Sequence, residues 1–384
     1  MKYRNFGRTP VKVSALGFGC MRLPTVGENI VDIPQAVSII RRAIDKGVNY
    51  LDTAYGYIGG ESEKTVGLAL QDGYRERVMV ATKFPCWEFK QKGDFERILK
   101  IQLKRLKTDY LDCYMLHALG RDSFRKIAVE NGVLENLVAA KKSGKVKHIG
   151  FSFHDNIDAF KTIVDHTDVW DFCQIQYNYM DTANQAGIEG LRYAAARGIS
   201  VIVMEPLLGG KLADKMPADV QTVFDGTGKT NTEWALDFVW NHPEVSMLLS
   251  GMGTKQMVDD NIKYANRSKP GMLTAEDTKT IARARQALSG KDAIPCTGCE
   301  YCLPVCPKKI QIPTTFLTYN EYARAKKNKK SADSETRTAE ALNKFRERSG
   351  GRAADCISCG ACVKRCPQQI PIPRALKKIA KETV

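Results

Sequence analysis

RVMVATKFPCWEFKQKGDFERILKIQLKRLKTDYLDCYMLH, residues 77–117, holds a strand, a helix and a second strand in one run. RVMVATK (Arg77–Lys83) and YLDCYMLH (Tyr110–His117) are short and apolar, as buried strands are. Between them FERILKIQLKRLK spaces its apolar residues by three and four, the period of an amphipathic helix. The alternation continues in both directions. Upstream lie VSALGFG (Val13–Gly19) and VNYLDT (Val48–Thr53), with the helical QAVSIIRRAIDKG between them. Downstream lie VKHIGFS (Val146–Ser152), FCQIQYN (Phe172–Asn178), ISVIVME (Ile199–Glu205) and VSMLLSG (Val245–Gly251). Gly47, Gly144 and Gly198 stand where helix C-caps are needed. Near-continuous apolar strands, each followed by a helix, predict an α/β chain with a closed parallel (β/α)8 TIM barrel over residues 1–285. A doubly wound sheet would carry a Gly-rich turn after its first strand, and none is present. The leading KYRNFGRTPVKV reads as a hairpin able to plug the bottom of the barrel.

The remaining residues, 286–384, differ in composition. Of 12 cysteines in the 384-residue chain, eight fall in the last 89 residues. From Cys296 onward there are 18 Lys+Arg against 8 Asp+Glu, which accounts for +10 of the net +15. Overall, 43% hydrophobic and 26% charged residues exclude wholesale disorder. No run is apolar enough to span a membrane, and MKYRNFGRTPVKV lacks a signal-peptide core. Thiols without a secretion signal predict a reducing, cytoplasmic setting. Basic charge alone suits nucleic acid or an acidic protein, but no nucleic-acid-binding pattern accompanies it.

A barrel demands that its chemistry sit at the carboxyl ends of the strands. Asp52, Lys83 and His117 close the second, third and fourth strands, and Tyr57 follows five residues after Asp52. Each alone has a plain structural reading; together they form an acid–base set. Trp87 and Phe89 are candidates for an apolar substrate wall, and Cys20 and Cys86 fall near the mouth. Cys113 and Cys173 lie within strand runs and read as core residues.

These stretches resemble the aldo/keto reductases: DTAYGYIGGESEKTVG (Asp52–Gly67), VMVATK ending at Lys83, YLDCYMLH ending at His117, GKVKHIGFS ending at Ser152, and QIQYN from Gln174. The resemblance covers roughly residues 1–285. It implies reduction of a small-molecule carbonyl by NAD(P)H, or the reverse, with Tyr57 as proton donor. Lys83 would lower the phenol pKa, Asp52 would hold Lys83 charged, and His117 would hydrogen-bond the carbonyl oxygen. Asp52, Ser152 and Gln174 match contacts to the nicotinamide end, although Phe153 stands where Asn is usual. Met204 occupies the place of the aromatic residue that stacks on the ring. In SGMGTKQMVDDN (Ser250–Asn261), Gly251 and Met257 replace residues that grip a 2′-phosphate, Lys255 is the substitute, and Asp260 and Asn261 fit the adenine end. The loop Leu207–Thr230 is expected to cover cofactor or substrate.

The tail has its own signature. CTGCEYCLPVCP (Cys296–Pro307) and CISCGACVKRCP (Cys356–Pro367) both read C-x2-C-x2-C-x3-C-P, the spacing that wraps a [4Fe–4S] cluster. Crossed ligation is expected: Cys296, Cys299, Cys302 and Cys366 for one cluster, Cys356, Cys359, Cys362 and Cys306 for the other. The 49 residues between the motifs (Pro307–Asp355) include an insert, 314–350, that reads as two charged helices around a polar turn. This resembles the helical dicluster domains of respiratory iron–sulfur subunits. KKNKK (Lys326–Lys330) reads as a solvated face or as a dock for an acidic electron carrier, a ferredoxin or flavodoxin.

A hydride carries two electrons and a cluster exchanges one, so coupling the halves calls for a carrier with a stable one-electron state, such as an additional flavin. Three readings stand. The barrel reduces a carbonyl while the clusters serve a partner or extra cofactor; the protein is an electron-transfer module with the barrel as docking platform; or the clusters are structural or redox-sensing. The complete Asp52–Tyr57–Lys83–His117 set favours the first.

Overall fold

The computed structural model describes residues 1–27, 29–213, 216–289, 294–327, 334–349 and 352–383. The leading segment forms the expected hairpin, β1 (Tyr3–Asn5) antiparallel to β2 (Lys12–Ser14). The first barrel strand, β3 (Leu16–Gly19), therefore starts later than Val13. Ser14 and Asn49 explain the break: Ser14 N–H donates to Asn49 Oδ1 (2.7 Å) and Asn49 N–H to Ser14 Oγ (3.1 Å). A second hairpin, β4 (Thr25–Gly27) with β5 (Ile30–Val31), follows β3.

The barrel closes in the order β3, β6 (Tyr50–Asp52), β7 (Met79–Pro85), β8 (Leu111–Leu119), β9 (Val146–Phe153), β10 (Phe172–Gln176), β11 (Ser200–Met204), β12 (Val245–Ser250) and back to β3. All neighbours in it are parallel. Phe6, fully buried, packs its ring 5.5 Å from Phe172 and 6.4 Å from Tyr50, in one cluster with Val13, Met115 and Met247. Burying such a ring stabilises by about 1.5–3 kcal/mol, so the hairpin closes one end of the barrel energetically as well as sterically. The next residue, Gly7, has φ +59°, and a Cβ there would stand 2.5 Å from the Gly198 carbonyl oxygen. Only glycine fits.

Outside the strands, the helix Asp94–Leu106 shows why the pattern works. Phe95, Ile98, Leu99, Gln102 and Leu106 are buried along one stripe, while Lys and Arg take the other face. One of those five is polar, and it matters for the site.

By compactness the chain divides into Met1–Leu207 with Lys229–Lys279, and Leu208–Gly228 with Thr280–Val384. The segment expected to cover cofactor or substrate thus packs with the cysteine-rich part. Gly209 (φ +67°) lies against the first cysteine motif, where a Cβ would come within 2.3 Å of the Thr297 carbonyl oxygen.

The second unit is internally duplicated. Each motif runs through Cys-Pro into Ile-x-Ile-Pro and then a helix, Ile312–Lys327 after the first and Ile372–Glu382 after the second. Matching positions take the same left-handed backbone: Gly298 and Ser358, Glu300 and Gly360, Lys309 and Gln369. Ile310, Ile312, Phe316, Ile370, Ile372 and Leu376 form the core with buried cysteines. The insert supplies Ile312–Lys327 and Ser334–Ser349, with Tyr319 packed 6.4 Å from Phe345 and Lys344 paired with Glu321. Of the KKNKK block, Lys326 and Lys327 end a helix, whereas 328–330 lie outside the described residues. No described helix is long and apolar enough to cross a membrane.

Candidate functional site

The parallel register brings the strand ends to one level: Asp52 pairs with Ala81, Lys83 with Met115, Pro85 with His117, and Ser152 with Gln174. Lys83, 1% exposed, donates to Asp52 Oδ1 (2.6 Å), to the Thr53 carbonyl (2.8 Å) and to Tyr57 Oη (3.1 Å). Three contacts match the three protons of an ammonium. Asp52 uses its other oxygen to accept from Gln174 Nε2 (3.2 Å). Burial pushes the Asp52 carboxyl above the usual carboxylate range, against the pull of Lys83 and the Gln174 amide. A buried pair of this kind survives because its charges are mutually satisfied.

Tyr57 is followed by Ile58, Gly59 and Gly60, all at positive φ (51°, 62° and 95°). For a β-branched residue such as Ile58 this is strained, at a cost of roughly 1–3 kcal/mol, and such strain concentrates at functional sites. The turn holds the phenol over the Lys83 ammonium, 4.6 Å from the ring centre. The His117 ring stands edge-on to Tyr57 at 6.0 Å and lies 4.8 Å from Trp87. Beyond His117, Ala118 turns to φ +54° and the β8–β9 register shifts. Its N–H leaves the ladder and donates to Ser152 Oγ at 2.8 Å. A bulge at a strand end re-aims side chains, here beside His117.

A buried network behind Lys83 escaped the sequence reading. Gln102 Nε2, with two protons to give, lies 2.6 Å from Glu63 Oε1, 2.9 Å from Thr82 Oγ1 and 3.1 Å from the Lys83 carbonyl, and Tyr114 Oη donates to Gln102 Oε1 (2.7 Å). Glu63, fully buried, is balanced by Arg105 at 3.0 Å. The available signal was Gln102 itself, a polar residue on the apolar stripe of its helix.

The residues expected to bind cofactor fall into two groups. Ser152 and Gln174 join the tetrad. Gln174 Oε1 is buried with no hydrogen-bond partner among the described residues. Met204 ends β11 in register with Gln176. Gly251, Lys255, Asp260 and Asn261 gather instead after β12. Lys255 is exposed at the start of the helix Lys255–Arg267, Asp260 accepts from Gln256 (2.9 Å), and Asn261 donates to Ser250 Oγ (2.8 Å). A side chain at Gly251 would meet Arg22 Cβ at 3.6 Å, so a basic residue absent from the sequence-based set stands beside it. Cys20 and Cys86 are buried, with Cys86 pushed up to about 12 by burial and Cys20 also raised. Neither is a ready nucleophile.

In the second unit, two cavities each collect four thiols. One is lined by Cys296, Cys299, Cys302 and Cys366, the other by Cys306, Cys356, Cys359 and Cys362. Each draws three thiols from one motif and one from the other, the crossed arrangement. Among the described residues no three His, Cys, Asp or Glu converge tightly enough for a single metal ion.

Two family models match the chain: Aldo/keto reductase family over residues 15–285 and 4Fe-4S dicluster domain over 295–370. The L-galactose dehydrogenase of Arabidopsis thaliana is 29% identical over 284 residues, 68% of this chain and 87% of that protein. The 6-dehydroglucose reductase of Novosphingobium aromaticivorans is 29% identical over 262 residues, 63% of this chain and 83% of its own. Among solved structures, the holo aldo-keto reductase of Bacillus halodurans shares 26% identity, with TM-score 0.60 over 74% of this chain and 96% of its own. A Klebsiella pneumoniae aldo/keto reductase in complex with NADP and acetate shares 26%, with TM-score 0.60 over 74% of this chain and 95% of its own. With the barrel and the model match spanning the same residues, the chain belongs to the aldo/keto reductase family of oxidoreductases and carries a 4Fe–4S dicluster domain C-terminal to the barrel in sequence.

Proposed function

We propose that the barrel transfers hydride between a nicotinamide dinucleotide and a small-molecule carbonyl, with Tyr57 moving the proton, while the clusters exchange single electrons with an outside carrier. The observation that carries the first half is Lys83 Nζ, held by Asp52 at 2.6 Å and set 3.1 Å from Tyr57 Oη. A free phenol titrates near pH 10, too weak an acid for neutral pH. A fixed ammonium beside its oxygen stabilises the phenolate left after proton donation. Tyr57 gives its proton to the carbonyl oxygen, and His117 donates to the same oxygen as charge develops there. Trp87, with its ring 4.8 Å from that of His117, supplies an apolar wall.

The residues fit a nicotinamide. Gln174 Oε1 is a buried acceptor that a carboxamide NH2 satisfies, and the Ser152 hydroxyl, accepting from Ala118, can donate to the carboxamide oxygen. Met204 would pack against the ring, and Lys255 with Arg22 would offer charge to a 2′-phosphate, with Asp260 and Asn261 at the adenine end. The NADP of the Klebsiella relative supports the phosphorylated form. Bound there, the nicotinamide supplies the hydride. The thiols fit clusters equally well: a cuboidal [4Fe–4S] core needs four thiolates around a volume, and each cavity presents four. Bound there, the clusters supply one-electron chemistry. The +10 excess of the tail suits an acidic carrier, a ferredoxin or flavodoxin, and reduced thiols suit the cytoplasm.

Lys83→Met keeps the apolar stem and removes the charge. We expect kcat for carbonyl reduction to fall about 10²–10³-fold, with the NADPH Kd from fluorescence titration within about twofold. A variant that keeps wild-type kcat would overturn the assignment of Lys83.

A further inference from the structure

We infer that His154 is a specificity-determining residue, an acceptor held at the barrel mouth by a one-way relay from Asp181, and that it selects carbonyl substrates carrying a hydroxyl group. The inference rests on the carbonyl reaction proposed above. His154 follows β9 directly, and its N–H donates to the Leu119 carbonyl at 2.9 Å, which extends the strand by one residue. Residues two apart on a strand share a face, so His154 stands on the face of Ser152, whose hydroxyl takes the Ala118 N–H beside His117. On β10 the same rule puts Gln176 on the face of Gln174, which bonds Asp52.

The relay has a forced direction. Asp181 Oδ2 can only accept, so the group 2.6 Å away on Gln176 is its amide nitrogen. Gln176 Oε1 is then left to accept from Gln185 Nε2 at 3.3 Å. That leaves Gln185 Oε1 facing His154 Nδ1 at 3.2 Å, which must carry the proton. The tautomer is therefore set by a carboxylate three hydrogen bonds away, and Nε2 keeps its lone pair. Among the described residues the ring's one side-chain hydrogen bond is the one through Nδ1. Burial lowers the His154 pKa to about 4, with the Lys83 charge adding to the effect, so the ring is neutral at pH 7.

Around the reacting carbonyl, Tyr57 and His117 offer protons. His154 Nε2 offers the opposite, a fixed acceptor, and a simple aldehyde or ketone has no proton to give it. A hydroxyl near the carbonyl does. The other donor of the right kind is the carboxamide of the nicotinamide, and the test separates the two.

The test compares kcat/KM for D-glyceraldehyde and propionaldehyde with NADPH, in wild type and in His154→Phe, His154→Gln and Gln185→Leu. One hydrogen bond of ordinary strength predicts that His154→Phe lowers the glyceraldehyde-to-propionaldehyde ratio about tenfold, mainly through KM. His154→Gln retains an acceptor and should recover part of the ratio. Gln185→Leu frees the tautomer and should lose part of it. Equal losses on both aldehydes would overturn the proposal, as would a weakened NADPH Kd with an unchanged ratio, which would assign Nε2 to the carboxamide. Wild type that binds NADPH but reduces neither aldehyde would contradict the carbonyl reaction itself, and His154 with it.

Discussion

Tyr57→Phe should lower kcat for carbonyl reduction by about 10²–10⁴-fold, with the NADPH Kd within about twofold of wild type. The substitution deletes one oxygen and keeps the ring, so packing against His117 at 6.0 Å and over Lys83 at 4.6 Å persists. What disappears is the acceptor of the 3.1 Å Lys83 bond, and with it the proton delivered to substrate. Lys83 retains Asp52 and the Thr53 carbonyl, so the buried ion pair is not broken and the fold is not at risk. Steady-state kinetics on any accepted carbonyl, paired with cofactor titration, checks the split. Equal losses in turnover and cofactor affinity would point to a collapsed site instead.

Cys366→Ala should cost the protein the cluster of the other motif. In a linear arrangement each motif would serve its own cluster, and Cys366 would belong with Cys356, Cys359 and Cys362. The cavities instead group Cys366 with Cys296, Cys299 and Cys302. Iron and sulfide should fall by about half in Cys366→Ala and in Cys299→Ala, two clusters of four irons being the full complement. Because both remove the same cluster, combining them should cost no more than either alone, whereas Cys366→Ala with Cys359→Ala should empty both. Reversal of those two results would establish uncrossed ligation.

The sequence made the barrel legible because most strands are buried on both faces and read as mainly apolar runs, as MVAT at the start of β7 does. The strand ends were legible for the converse reason: Asp52, Lys83 and His117 are polar where the run stops. The cysteine motifs were legible through spacing alone. Features that depend on distant partners were not. Glu63, fully buried, pairs with the half-buried Arg105 42 residues away, and its residue type does not announce burial. The bulge at Ala118 arises from a Ser152 hydroxyl on the next strand. The relay to His154 needs four residues from two strands and a loop. Leu208–Gly228 follows a barrel strand in sequence but packs with the cysteine motifs, a preference visible only once Gly209 is set against Thr297. The hairpin Thr25–Val31 has exposed Val26 and Ile30, so it lacks the buried face that marks a strand.

The two parts of the chain are proposed to run different electron chemistry, two electrons as hydride in the barrel and one at a time at the clusters. The most direct test is an anaerobic single turnover of cluster-loaded protein with 4-deuterated NADPH and a carbonyl substrate, following the visible cluster absorbance throughout. The label should arrive on the carbinol carbon of the product while the cluster absorbance stays unchanged, and dithionite should then bleach it. Bleaching by NADPH, with the label lost to water, would contradict the account and route the electrons through a one-electron carrier into the clusters.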